Sequence, residues 1–180
     1  IIHETGTSKV RDNEYLFSLP SDRVIEPHGG KLVEQYISKA QLNISSIPMF
    51  SVNKNILGDV NQITSGVYSP LKSFMNLDEI MSVLEKNLLL DGNAWTLPIL
   101  FQIDNDQKEI ISNTSTIGLT NGDQNLIAII KVDKIEKLNQ IEKICKLWFG
   151  TDDINHPGVS MFKNSGDYIL SGKPYLFKEN

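Results

Sequence analysis

The sequence predicts an α+β protein: a mostly antiparallel sheet or barrel with helices set at its flank. Three observations carry this. Apolar residues recur with helical spacing in two separated windows, at Leu77, Ile80, Met81 and Leu84, and again at Ile141, Ile144, Cys145 and Trp148. Each pattern lays one apolar stripe along a helix. Strand-sized apolar runs stand at 95–103, 116–119 and 126–132. The last two flank Asn121-Gly122, a turn dipeptide that joins neighbouring strands locally. Strands paired through turns, with helices to one side, build an antiparallel sheet rather than βαβ units.

Taken in order, residues 1–20 form a polar, weakly patterned arm, 21–172 the folded domain, and 173–180 the start of a linker. A short helix is expected from Leu57 to Ile63, with Val60 and Ile63 facing inward. Gly66 follows where a helix stop needs a residue tolerant of left-handed backbone. The helix beginning near Leu77 has Asn76 before it and Glu79 three residues on, the spacing of a capping box that satisfies first-turn amides. The same spacing at Asn139 and Glu142 predicts the start of the later helix, and Gly150 predicts its end. In the 95–103 run, Pro98 lacks the donor a central ladder needs and demotes part of it to an edge or bulge. Tyr168-Ile169-Leu170 reads as a last short strand.

Composition narrows the function classes. Hydrophobic residues make up 40% of the 180 and charged residues 22%, enough apolar material for one cored domain and against wholesale disorder. The net charge is −5, which repels a polyphosphate backbone unless basic residues cluster. They do not: Lys134, Lys137 and Lys143 are interleaved with Asp133, Glu136 and Glu142, the pattern of a solvated face. Nucleic-acid binding is therefore disfavoured. Cys145 is the sole cysteine, which excludes an intrachain disulfide and fits a reducing, cytoplasmic setting. The apolar runs are too short to span a bilayer, so no membrane partner is expected. The chain opens on Ile1 rather than Met, as a processed chain, a trimmed chain or one whose start lies further upstream would.

Three segments invite chemical readings. Pro27-His28-Gly29-Gly30 could present backbone amides as an oxyanion hole, but no Gly-x-Ser-x-Gly elbow accompanies it and the hydrolase reading fails. Gly150 to Val159 carries Asp152, Asp153 and His156, yet His3 and His28 are remote in sequence, and a metal needs three or four convergent ligands. A turn in which Asp side chains hold backbone amides and Pro157-Gly158 makes the bend explains it better. Ser171-Gly172-Lys173-Pro174 lacks the upstream glycine and the hydroxyl of a phosphate loop. The stretch Gly66-Val67-Tyr68-Ser69-Pro70-Leu71-Lys72-Ser73-Phe74-Met75 contains no acid–base chemistry; it reads as a rigid apolar loop.

Read together, Pro27-His28-Gly29-Gly30-Lys31-Leu32-Val33, the Gly66–Met75 stretch and the Gly150–Val159 decapeptide resemble the N-terminal domain of ATP sulfurylases (sulfate adenylyltransferases). The resemblance runs from about Pro27 to Gly172. It implies a PUA-like β-barrel domain, with His28, Gly29, Gly30, Ser69, Pro70, Asp152, His156 and Pro157 as family-marker or interface residues. Departures are Ser73, where the family commonly has glycine, and Glu34 and Gln35, where Asn-Arg is common. The lost arginine puts in doubt a contact with a second domain or subunit. Such proteins make adenosine 5′-phosphosulfate and pyrophosphate from ATP and sulfate through Gln-x-Arg-Asn and His-x-x-His motifs, and neither occurs between Ile1 and Asn180. The resemblance thus implies a non-catalytic domain with no catalytic, cofactor or metal residues of its own. ATP and magnesium would belong to a longer parent, whose catalytic domain this one would support, with oligomer contacts a further role. The alternatives are a stand-alone PUA-like RNA-binding module and an accessory paralogue without a catalytic half.

Overall fold

The computed structural model describes residues 9–11, 14–16, 25–122 and 125–178. A three-residue hairpin, β1 (Lys9–Arg11) with β2 (Glu14–Leu16), lies within the predicted arm; the rest of that arm falls outside the described residues. The domain proper is a six-stranded sheet in the order β3-β8-β7-β6-β4, with β5 also pairing to β8. The strands are β3 (Tyr36–Ile37), β4 (Met49–Ser51), β5 (Gln102–Ile103), β6 (Thr116–Thr120), β7 (Leu126–Lys137) and β8 (Tyr168–Phe177). β5, β6, β7 and β8 pair antiparallel. The two ends of the sheet are parallel additions, β3 on β8 and β4 on β6. The sheet is therefore mixed, and it does not close into a barrel: the terminal strands are two and three residues long and do not pair with each other.

The predicted hairpin is present, with β6 and β7 joined through Gly122 at φ +97°. β7 runs beyond the expected 126–132 because a bulge between Val132 and Lys134 bends it and lets it continue to Lys137. Ala128, Ile129 and Ile130 are consecutive and all fully buried, which requires cover on both faces of the sheet at that point. Gly172 on β8 is fixed by close approach: a Cβ there would stand 2.6 Å from the Lys131 carbonyl oxygen. β8 also carries the sheet five residues past Gly172, so 173–177 belong to the domain rather than to a linker. The ladder to β7 and Pro174's carbonyl contacts hold them there.

Five helices flank the sheet: α1 (Lys54–Thr64), α2 (Leu77–Lys86), α3 (Asn105–Ile111), α4 (Ile141–Phe149) and α5 (Pro157–Asn164). The Asn76–Glu79 capping box forms as expected, and Glu136 on β7 accepts a further first-turn amide from Leu77 at 3.1 Å. That bond seats α2 on the sheet. The cap of α4 is Gln140, without a side-chain bond, so the Asn139–Glu142 box does not form; Gly150 does close the helix at φ +75°. Of the 95–103 run only Gln102–Ile103 is strand. Pro98 interrupts the rest, which instead passes single bonds to neighbours, Met75 to Ile99 and Leu170 to Phe101. The core gathers Phe74, Met75, Ile80, Ile117, Leu119, Ile130 and Ile144 between helices and sheet.

Candidate functional site

Two of the marker segments, 39 residues apart in sequence at their nearest singled-out members, are in contact. Pro27–Lys31 makes a tight turn in which Gly30 donates its amide to the Pro27 carbonyl at 2.8 Å. Gly29 and Gly30 both take left-handed backbone, φ +75° and +78°. Gly29 lies flat on Pro70: a Cβ on it would be 2.6 Å from the proline Cβ. Only glycine permits that approach. The next residues are tied to the same loop by Ser69, whose Oγ accepts from the Val33 amide at 3.0 Å and donates to the Gly66 carbonyl at 2.6 Å. The Ser69–Pro70 peptide is cis. Aromatic contacts complete the junction. The His28 Nε2 lies 2.7 Å from the Ala94 carbonyl oxygen, its ring stacks near Trp95, and Trp95 meets Tyr68 edge-on at 5.7 Å between centroids.

His28, Gly29, Gly30, Ser69 and Pro70 thus form one structural junction. The Gly30 amide is occupied by the Pro27 carbonyl and so is not free to receive an oxyanion. Leu32 and Val67 beside it are 50% and 68% exposed, leaving an apolar surface at the junction.

Asp152, His156 and Pro157 stand apart, at the α4–α5 connection. Asp152 pairs with Lys146 at 3.0 Å, and that hydrogen bond holds its carboxyl below the usual range; its carbonyl accepts from Lys163. Asp153 accepts the Asn155 amide at 2.9 Å, the predicted Asp turn. Pro157-Gly158 does not make a bend, however. Pro157 is the first residue of α5 and His156 its N-cap, with Val159 N–H donating to His156 Nδ1 at 3.4 Å. Proline's fixed φ suits that first position. Among the described residues no three His, Cys, Asp or Glu side chains converge as metal ligands. The two marker groups share no hydrogen bond, ion pair or ring contact among the described residues. Cys145 is fully buried, and burial pushes its thiol pKa up, as in an inert thiol.

Gln35 departs most from expectation. At the position where an arginine is common, it is buried, and its Nε2 donates to the carbonyls of Lys72 and Pro174 at 2.9 and 3.0 Å. Its role is internal; Glu34 beside it is exposed. Sequence reasoning also missed Asp59 on α1. This carboxylate is half-buried, accepts a 3.4 Å bond from Tyr68 Oη–H, and is pushed up in pKa by burial. A lone Asp inside an apolar helical pattern was the available signal.

The family model of the PUA-like domain matches residues 25–179. The chain belongs to this family. Curated relatives named sulfate adenylyltransferase match it as well. One from Ignicoccus hospitalis is 34% identical over 83% of the chain, and one from Cenarchaeum symbiosum 29% identical over 85%. The chain spans only 40% and 39% of those relatives' lengths. A solved structure titled hexameric APS kinase from Thiobacillus denitrificans superposes with TM-score 0.59 at 19% identity, covering 85% of this chain and 27% of that one. That likeness concerns the fold of the PUA-like domain.

Proposed function

We propose that this PUA-like domain is the N-terminal, non-catalytic domain of a sulfate adenylyltransferase, acting in sulfur assimilation. The observation that carries the reading is the asymmetry of coverage. More than four-fifths of the chain aligns with proteins of that name, while about 40% of their length is matched. The work left to this domain is support: presenting a rigid face to the catalytic part and to other subunits of a homo-oligomer. The His28–Pro70 junction, with Leu32 and Val67 exposed beside it, suits such a contact, since exposed apolar surface next to rigid backbone favours docking. The α4–α5 connection around Asp152, His156 and Pro157 is a second, more polar candidate.

In this reading the domain binds no cofactor; ATP and magnesium are handled by the remainder of the longer protein. The setting is cytoplasmic, in keeping with the single buried thiol and with the finding that no helix among the described residues is long and apolar enough to cross a membrane. The test is to incubate the pure 180-residue chain with ATP, sulfate and magnesium and to assay adenylyl sulfate. None is expected above a protein-free control, and protein-dependent formation would refute the non-catalytic assignment.

A further inference from the structure

We propose that the cleft bounded by α1, α5 and residues 97–102 is a binding site for a small organic monocation, an ammonium or guanidinium head on an apolar body. The cleft holds ≈ 430 Å³, within the range of small-ligand sites. Trp148 and Phe149, stacked at 4.8 Å, line it together with Ile56, and Leu97 and Met161 stand at its rim, 51% and 62% exposed. Asp59 is the only charged residue among those that line it.

Three of the other polar side chains in the lining are already engaged. Asn53 caps α1 through two amides, Gln102 donates to the Phe162 and Gly166 carbonyls, and Gln107 closes the cap of α3 on Asp104. Asp59 has one long bond, from Tyr68, and among the described residues no lysine, arginine or histidine ion-pairs with it. Burial raises its pKa, which marks a carboxylate whose charge is poorly solvated where it stands. A cation entering the cleft would supply the missing counter-charge. The indole and phenyl groups would add attraction for the same charge, and the apolar body would cover the exposed rim. A neutral ligand gains only the last of these, and an anion is repelled.

The site is independent of the sulfate adenylyltransferase reading and stands or falls by a direct titration. The 180-residue protein is titrated with phenethylammonium, phenethyl alcohol and phenylacetate, followed by tryptophan fluorescence and amide chemical shifts. The cation is expected to saturate in the millimolar range or below, roughly tenfold more tightly than the alcohol, with shifts centred on α1 and α5. Asp59→Asn should abolish that preference. If Asp59→Asn does not fold, the three-ligand comparison on the unaltered chain decides by itself. Equal binding of cation and alcohol, tighter binding of phenylacetate, or no saturation by the cation overturns the proposal.

Discussion

The side-chain amide of Gln35 donates to the main-chain carbonyl of Pro174, 139 residues further along, at 3.0 Å. The same nitrogen reaches the Lys72 carbonyl. The Gln35 backbone donates to Thr64 at the end of α1 and accepts from Leu176 on β8. One residue therefore joins the first helix, the loop after Pro70 and the last strand. Replacing it with leucine keeps the volume but leaves one buried carbonyl, that of Pro174, and one part-buried carbonyl, that of Lys72, short of a donor. Gln35→Leu should lower unfolding free energy by about 2–3 kcal/mol in urea denaturation; a loss under about 0.5 kcal/mol would show the bonds to be incidental.

Gly29 and Gly30 separate two causes of glycine dependence. Both have positive φ, but only Gly29 has a neighbour in the way, whereas nothing lies within 4 Å of a Cβ on Gly30. Gly30→Ala should cost about 1 kcal/mol for backbone strain alone. Gly29→Ala should cost roughly 3 kcal/mol, as displacement of Pro70 adds to the strain. Trp95 fluorescence reports the opening of the junction, and equal losses at the two sites would contradict the packing role assigned to Gly29.

Ser69 and Asp152 make a contrast between buried and exposed polar contacts. Ser69 is 4% exposed and bonds in both directions, so Ser69→Ala should cost about 1–3 kcal/mol. Asp152 pairs at the surface, and Asp152→Asn should leave the unfolding temperature essentially unchanged in moderate salt. Thermal unfolding of the two variants side by side checks both.

Asp59 sets a pH dependence whose sign follows from its raised pKa. Burial favours the neutral form in the folded state, so this group helps folding when protonated, below the ordinary carboxyl range. That help is lost as pH rises through the raised folded value. At pH 7 the charge therefore opposes folding, and Asp59→Asn should unfold at a higher temperature than the parent. The difference should vanish near pH 3, where both side chains are neutral. A variant less stable at pH 7 would reverse the assignment.

Local signals were the readable part of this fold. Asn76 and Glu79 announce α2, Gly150 ends α4, and Asn121-Gly122 turns the central hairpin, because each acts within a few residues of chain. Some local signals were present but outcompeted. Asp104 with Gln107 is a capping box that opens α3, a signal masked in the sequence by the strand-like run before it. Pro157 reads as a bend from sequence because proline serves both turns and first helical turns. Asn139 competed with Gln140 for a cap one residue away. Long-range relations were not legible. Nothing in the two-residue β3 signals a parallel pairing with the end of β8, and nothing in Gln35 signals a tie to Pro174. The marker residues could be grouped by resemblance, but that two of the three segments meet appears only in the packing of Gly29 on Pro70 and the bond from the Val33 amide to Ser69.

The central claim, a supporting domain of a larger sulfate adenylyltransferase, is tested most directly by the intact mass of the native polypeptide isolated from its own cells. The 180 residues weigh 20.2 kDa. The account predicts a mass roughly twice that or more, since a catalytic part adds at least one further domain on the order of 150 residues. A native mass close to 20.2 kDa would contradict it and leave a stand-alone PUA-like protein.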